Sequence, residues 1–160
     1  MTTSIPDQNC KLVADSLTDA LANQWRNSKT PDNTAFASSS LTVFAGADFA
    51  KRNLARQRDA LQRCPTRSET DGKRQWDNVH EVTIPELKGF DEVVAEEGHL
   101  STDEKGQTTD TYYVSLTGTK GQYLLHSDIS RGPDTQDQNR TDAAKALSLM
   151  LSRLASGGIR

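Results

Sequence analysis

Three histidines, two cysteines and several carboxylate pairs are the residues of this chain that could do chemistry. His80, His99 and His126 each fall in a segment with strand character. Neighbouring strands could gather three imidazoles, which can hold zinc or copper, and one alone can act as a general base. No ligand-type spacing of histidine, cysteine or carboxylate accompanies them, so the expectation is no metal. The pairs Asp91-Glu92, Glu96-Glu97 and Asp103-Glu104 are adjacent in sequence. Adjacent strand residues point to opposite faces, so such pairs make no acid–base dyad and read as a solvated acidic hairpin. Nucleotide-binding glycine loops, HExxH and GxSxG are all missing from the sequence. A hydrolase with His80 or His126 as base is the enzymatic alternative, but the sequence places no serine, cysteine or carboxylate to serve it. The expectation is therefore a non-enzyme, with no catalytic residue and no cofactor.

Cys10 and Cys64 have no CxxC partner and make a poor metal site. They read as one long-range disulfide in an exported domain; the alternative is two buried thiols in a cytosolic protein. A staple matters because the core is lean. Leu, Ile, Val and Phe make up 30 of 160 residues, just under the ~20% level at which disorder becomes a serious reading. Net charge is only −3, which argues for a folded domain. Closing the Cys10–Cys64 loop should stabilise it by roughly 4 kcal/mol on the chain-entropy estimate. No run approaches the ~18 apolar residues of a membrane span. Residues 1–9 lack the basic and apolar regions of a signal peptide. An extracellular or cell-surface chain would carry its signal or anchor ahead of this sequence.

The elements that must position these residues follow from periodicity. Cys10, Val13, Leu17, Ala20, Leu21 and Trp25 are spaced as one helical stripe, predicting a first helix over 6–25. Residues 27–33 are a polar loop and 36–45 a strand. Asp48 can cap a second helix to Cys64, with Ala50, Leu54, Leu61 and Cys64 on one side and Pro65 ending it. After a charged loop at 66–73, strands are predicted over 75–84, 91–100, 108–117 and 122–129. Asp103-Glu104-Lys105-Gly106 is a hairpin signal, and 118–121 is a second tight turn. Residues 131–140 read as a mobile polar loop, and 141–155 as a last helix with Ala144, Leu147, Leu151 and Leu154 inward. The expectation is a single α+β domain over 1–160, with an antiparallel sheet, three helices on one side and one disulfide. The ends, 1–6 and 157–160, are expected to be flexible.

Two features could recognise a partner. The second helix is basic, and Arg52, Arg56 and Arg63 share a face. Without interleaved aromatics, and in a mildly acidic chain, this does not indicate nucleic acid; it offers a protein partner a cationic surface. On the sheet, parity places Tyr113 and Ser115 with Gln122 and His126 on the face away from the helices. That mixture of aromatic and polar side chains suits a shallow ligand groove.

The layout resembles a known family. A cysteine in the expected first helix, a strand ending at Gly46, Phe49…Leu54…Leu61-Gln62-Arg63-Cys64, Trp76 opening the sheet and a closing helix from Ala143 look like the PknH-type extracellular sensor domain. Some actinobacterial receptor Ser/Thr kinases carry it, as do secreted proteins and lipoproteins. The resemblance implies a sensor-like module of the cell envelope with a solvent-exposed cleft for a small molecule or envelope component. The kinase-linked domain has two disulfides, whereas this chain has cysteines for one, and no kinase segment is present.

Overall fold

A computed structural model describes residues 2–157. In chain order the elements are β1 (Thr2–Pro6), β2 (Lys11–Ser16), β3 (Ala20–Lys29), β4 (Ala35–Phe44), α1 (Ala47–Arg63), β5 (Arg67–Glu69), β6 (Arg74–Glu81), β7 (Glu92–Glu104), β8 (Gln107–Lys120), β9 (Tyr123–Arg131) and α2 (Gln136–Ala155). The strands form one nine-stranded sheet in the order β1-β2-β5-β6-β7-β8-β9-β4-β3, curled into a half-barrel. Pairing is antiparallel except between β2 and β5.

The expected three helices on one side of the sheet are replaced by two helices on opposite faces. Strand alternation fixes this. Tyr113, Val94 and Leu124 pack with Ala50, Leu54 and Leu61 of α1. Their sequence neighbours Val114, Ala95 and Leu125 pack with Ala143, Ala144 and Leu147 of α2. The central strands are thus covered on both faces, and the fold is mostly β.

The first expected helix, 6–25, does not exist; the segment holds the end of β1, then β2 and half of β3. Local turn chemistry defeats the helical stripe. The Asp7 carboxylate accepts the backbone N–H groups of Asn9 and Lys11 at 2.8 and 3.0 Å, and Cys10 sits at φ 58°, which a right-handed helix interior does not tolerate. Of the expected loose N-terminal end, Thr2–Pro6 forms β1 on β2, and residue 1 lies outside the described residues. Of the other expected loose end, only Gly157 is described; 158–160 lie outside the described residues.

The rest follows the pattern more closely. Glu104 pairs with Gln107 across Lys105-Gly106, both with positive φ, as a type I′ hairpin requires. Helix α1 begins after Gly46, which caps it without a side-chain bond; Asp48 lies in the first turn, where its charge complements the helix dipole. Helix α2 begins at Gln136, inside the expected 131–140 loop. Its first turns look loop-like because their inward positions are polar. Asn139 is buried and donates to the Tyr112 carbonyl at 3.0 Å while accepting from Arg131 at 2.8 Å.

Gly98 on β7 faces a register shift in β6 between Asp77 and His80, where Asn78 has φ 52°. A Cβ at Gly98 would lie 2.9 Å from the Asp77 carbonyl oxygen and 3.1 Å from Val79 Cα. Backbone cannot yield as a side-chain tip can. Gly98→Ala is expected to cost about 1–3 kcal/mol in chemical denaturation; an unchanged midpoint would show that the bulge is free to shift.

Candidate functional site

The half-barrel and α1 enclose a concave groove of about 510 Å³. Its floor is the α1-side face of the central strands, its end wall is α1, and β1 and β2 form one flank. Register aligns the floor in rows. Ser40, His126 and Thr117 lie abreast on β4, β9 and β8; the next row is Ser38, Asp128, Ser115 and Glu96.

These rows are wired together. The Thr117 hydroxyl lies 3.0 Å from His126 Nδ1, and His126 Nε2 lies 3.3 Å from Asp128 Oδ1. Ser38 donates to the same Asp128 oxygen. With Nε2–H donated to Asp128, Nδ1 accepts from Thr117, and all three side chains are satisfied. Beside them Arg67 meets Glu96 in an ion pair and donates to Tyr113 Oη at 3.1 Å; Tyr113 in turn donates to Glu96 at 3.0 Å. The Arg67 side chain is only 10% exposed. Burial works against its charge, but Glu96 and Tyr113 outweigh that and raise its pKa. Burial, reinforced by the Glu96 charge, drives the Tyr113 hydroxyl well above its ordinary value, so it stays a proton donor.

Of the residues expected to bind ligand, Tyr113, Ser115 and His126 line this groove, while Gln122 lies outside its lining in the β8–β9 turn. The shared parity of the three holds, but their face is the one α1 packs on, not one turned away from the helices. The histidines do not converge. His80 lies 3.3 Å from Glu97 on the α2 face, His99 stacks edge-on against Tyr112 at 5.1 Å, and His126 is in the groove. Among the described residues no group of three His, Cys, Asp or Glu is placed to hold a metal ion.

Sequence reasoning missed Asp128, Arg67 and Glu96 as groove residues. Asp128 was accessible, since strand alternation puts it beside His126 on the same face. Arg67 and Glu96 meet only because β5 and β7 flank β6, which no local pattern states. The basic face of α1 is largely engaged within the fold. Arg56 pairs with Asp15 at 2.7 Å, and Arg63 donates to the carbonyls of Pro6 and Asp7. Arg52 lies over the Phe49 ring, 4.5 Å from its centroid.

Cys10 and Cys64 are bonded, with Cα atoms 5.5 Å apart. The bond ties the β1–β2 turn to the end of α1, and so fixes a groove wall to its end wall.

No family model and no curated protein matches this chain. Among solved structures it is similar to PA94 of Pseudomonas aeruginosa, a protein of unknown function. Identity is 13% and the TM-score 0.32, over 91% of this chain and 92% of that one.

Proposed function

We propose that this chain is a non-enzymatic ligand-binding module of the cell envelope, sensor-like in the sense of the PknH-type domain it resembles, with the concave groove as its site. The observation that carries this reading is the groove floor itself: a row of hydroxyls with His126 and Asp128, held in place by mutual hydrogen bonds on a rigid sheet. Preorganised polar groups in a cleft of this size suit small-molecule recognition. The disulfide favours an oxidising compartment.

Thr117, His126 and Asp128 also have the connectivity of a nucleophile, base and orienting acid. Two features argue for binding instead. Thr117 is buried in the strand. Strands β8 and β9 are interior, hydrogen-bonded on both sides, so their ladders leave no pair of backbone N–H groups to form an oxyanion hole.

The test is native mass spectrometry of the oxidised protein against an extract of envelope small molecules, compared with two variants. His126→Ala removes the centre of the network and is expected to weaken retention of any bound species about tenfold or more. Lys51→Glu/Arg52→Glu recharges the outer side of α1 and leaves retention unchanged. The reverse pattern would put the site on the helix and favour the protein-partner reading.

A further inference from the structure

We infer that the groove takes a neutral saccharide; this rests on the groove being a binding site and names the class of its ligand. The first argument is charge. Among the described residues, each cation lining the groove already faces an anion that also lines it: Arg56 with Asp15, Arg67 with Glu96, Arg74 with Glu69. The remaining carboxylate, Asp128, is engaged by His126 and Ser38. A ligand anion or cation would meet charges that are already paired. Neither gains a free counter-charge.

The second argument is hydrogen-bond chemistry. Each arginine fork has five N–H donors, and each carboxylate several lone pairs. Salt-bridging uses only part of each set. Donors and acceptors therefore sit side by side in its lining, and the Ser40 and Ser115 hydroxyls on the floor can act as either. A ligand hydroxyl is the group that can meet both kinds at once. A run of them on one rigid ring matches this mixture, and bonds to the charged groups are the stronger kind.

The third argument is the apolar component. Trp76 lines the groove, half-buried, with the Arg74 guanidinium near its ring. Register puts Trp25 on the same face as Ser40, at the rim formed by β3, where it is 67% exposed. Aromatic planes beside polar groups fit a pyranose, whose ring faces present C–H groups and whose edge presents hydroxyls. An acyl chain fits the floor poorly, because it would strip water from Ser, Thr, His and Asp side chains without replacing their hydrogen bonds.

A panel of neutral oligosaccharides, with uronate-bearing counterparts of the same length, tests this on immobilised glycans and by tryptophan fluorescence. The oxidised wild-type protein is expected to bind at least one neutral member. Affinity should be nearly unchanged between about 0.05 and 0.5 M salt, since no ligand charge is screened. Ser115→Trp, which fills the groove, and Asp128→Asn, which keeps its shape, are each expected to weaken binding about tenfold or more. Preference for the uronates, loss of binding at high salt, or equal binding by Ser115→Trp would overturn the saccharide assignment, as would no binding at all. The envelope extract separates the two levels of failure. A non-saccharide species retained by wild type and lost in Ser115→Trp leaves the groove as the site and removes only the ligand class; a species retained by both removes the groove.

Discussion

Reducing the Cys10–Cys64 bond is expected to lower the melting temperature by about 8–16 °C, from roughly 4 kcal/mol of lost stability at 2–4 °C per kcal/mol for a chain of this size. The separation of 54 residues sets the loop-closure term. The loss is also expected to be uneven. The β1–β2 hairpin sits at one edge of the sheet, and its strand neighbour, β5, meets it in two register pairs, Lys11–Ser68 and Leu12–Glu69. Beyond these, Arg63 holds the Pro6 and Asp7 carbonyls, and Lys11 donates to Ser68 at 2.6 Å. Without the disulfide this hairpin opens first, so hydrogen exchange should rise in β1 and β2 before it rises in β8 or β9. Residues Ile5, Leu12 and Asp15 leave the groove with it, and ligand binding falls before the protein melts. Calorimetry and exchange on Cys10→Ser/Cys64→Ser check both parts. Uniform exchange across the sheet would show that the bond stabilises the whole domain and not this wall.

Why the disulfide was legible in the sequence and the surrounding fold was not is a matter of what each depends on. Two cysteines in a lean core have few uses, whereas residues 6–25 look helical only if their side chains are treated as a one-dimensional pattern. Asp7 and the positive φ at Cys10 break that pattern locally. Pairing with β4 then draws Ala20–Lys29 into a ten-residue edge strand. Edge strands are poorly encoded because most of their side chains face water; nine of the ten residues in β3 are exposed. Arg26 and Lys29 on this strand, with the register shift near Ala20, blunt its tendency to pair with other chains. By contrast the strands expected over 91–100 and 108–117 largely coincide with β7 and β8, because a tight turn flanked by β-branched and aromatic residues specifies an antiparallel pair locally.

The site was half legible for the same reason. Parity alone groups Tyr113 and Ser115, and His126 on the next strand. It cannot say which face a helix will cover, and here α1 covers the face that was expected to be open. Gln122 shares His126's parity but sits in the turn, where alternation no longer governs direction. Partners that come from distant strands, such as Arg67 for Glu96, depend on sheet order and are invisible until the order is known.

Arg140→Ala is expected to destabilise the protein by about 2–3 kcal/mol, more than Glu97→Gln, at about 1–2 kcal/mol. Glu97 is 2% exposed on the α2 face, and Arg140 grips both its carboxylate oxygens, from Nε at 2.6 Å and from Nη2. Removing the arginine leaves a buried carboxylate with only His80 and Tyr112 beside it. Removing the carboxylate frees an arginine that is already 37% exposed and can turn to water. That exposure places the first figure below the usual range for breaking a fully buried pair. The pair also sets a pH dependence. Burial alone would raise the Glu97 carboxyl, but the bonds from Arg140 and Tyr112 and the Arg140 and His80 charges outweigh it and hold the pKa below its ordinary 4.5. The same contact, with burial first, pushes the Tyr112 hydroxyl up to about 12. A carboxyl depressed by folding contributes stability that is present above its unfolded pKa and lost as pH falls through its folded one. Wild-type stability should therefore fall on acidification below about pH 4.5, and Arg140→Ala should flatten that limb because it removes the main cause of the depression. Denaturation midpoints measured down this range for both proteins decide it. Parallel acid limbs would assign the acid sensitivity to other carboxylates and leave the Glu97–Arg140 contact as a tether for α2 without a titration of its own.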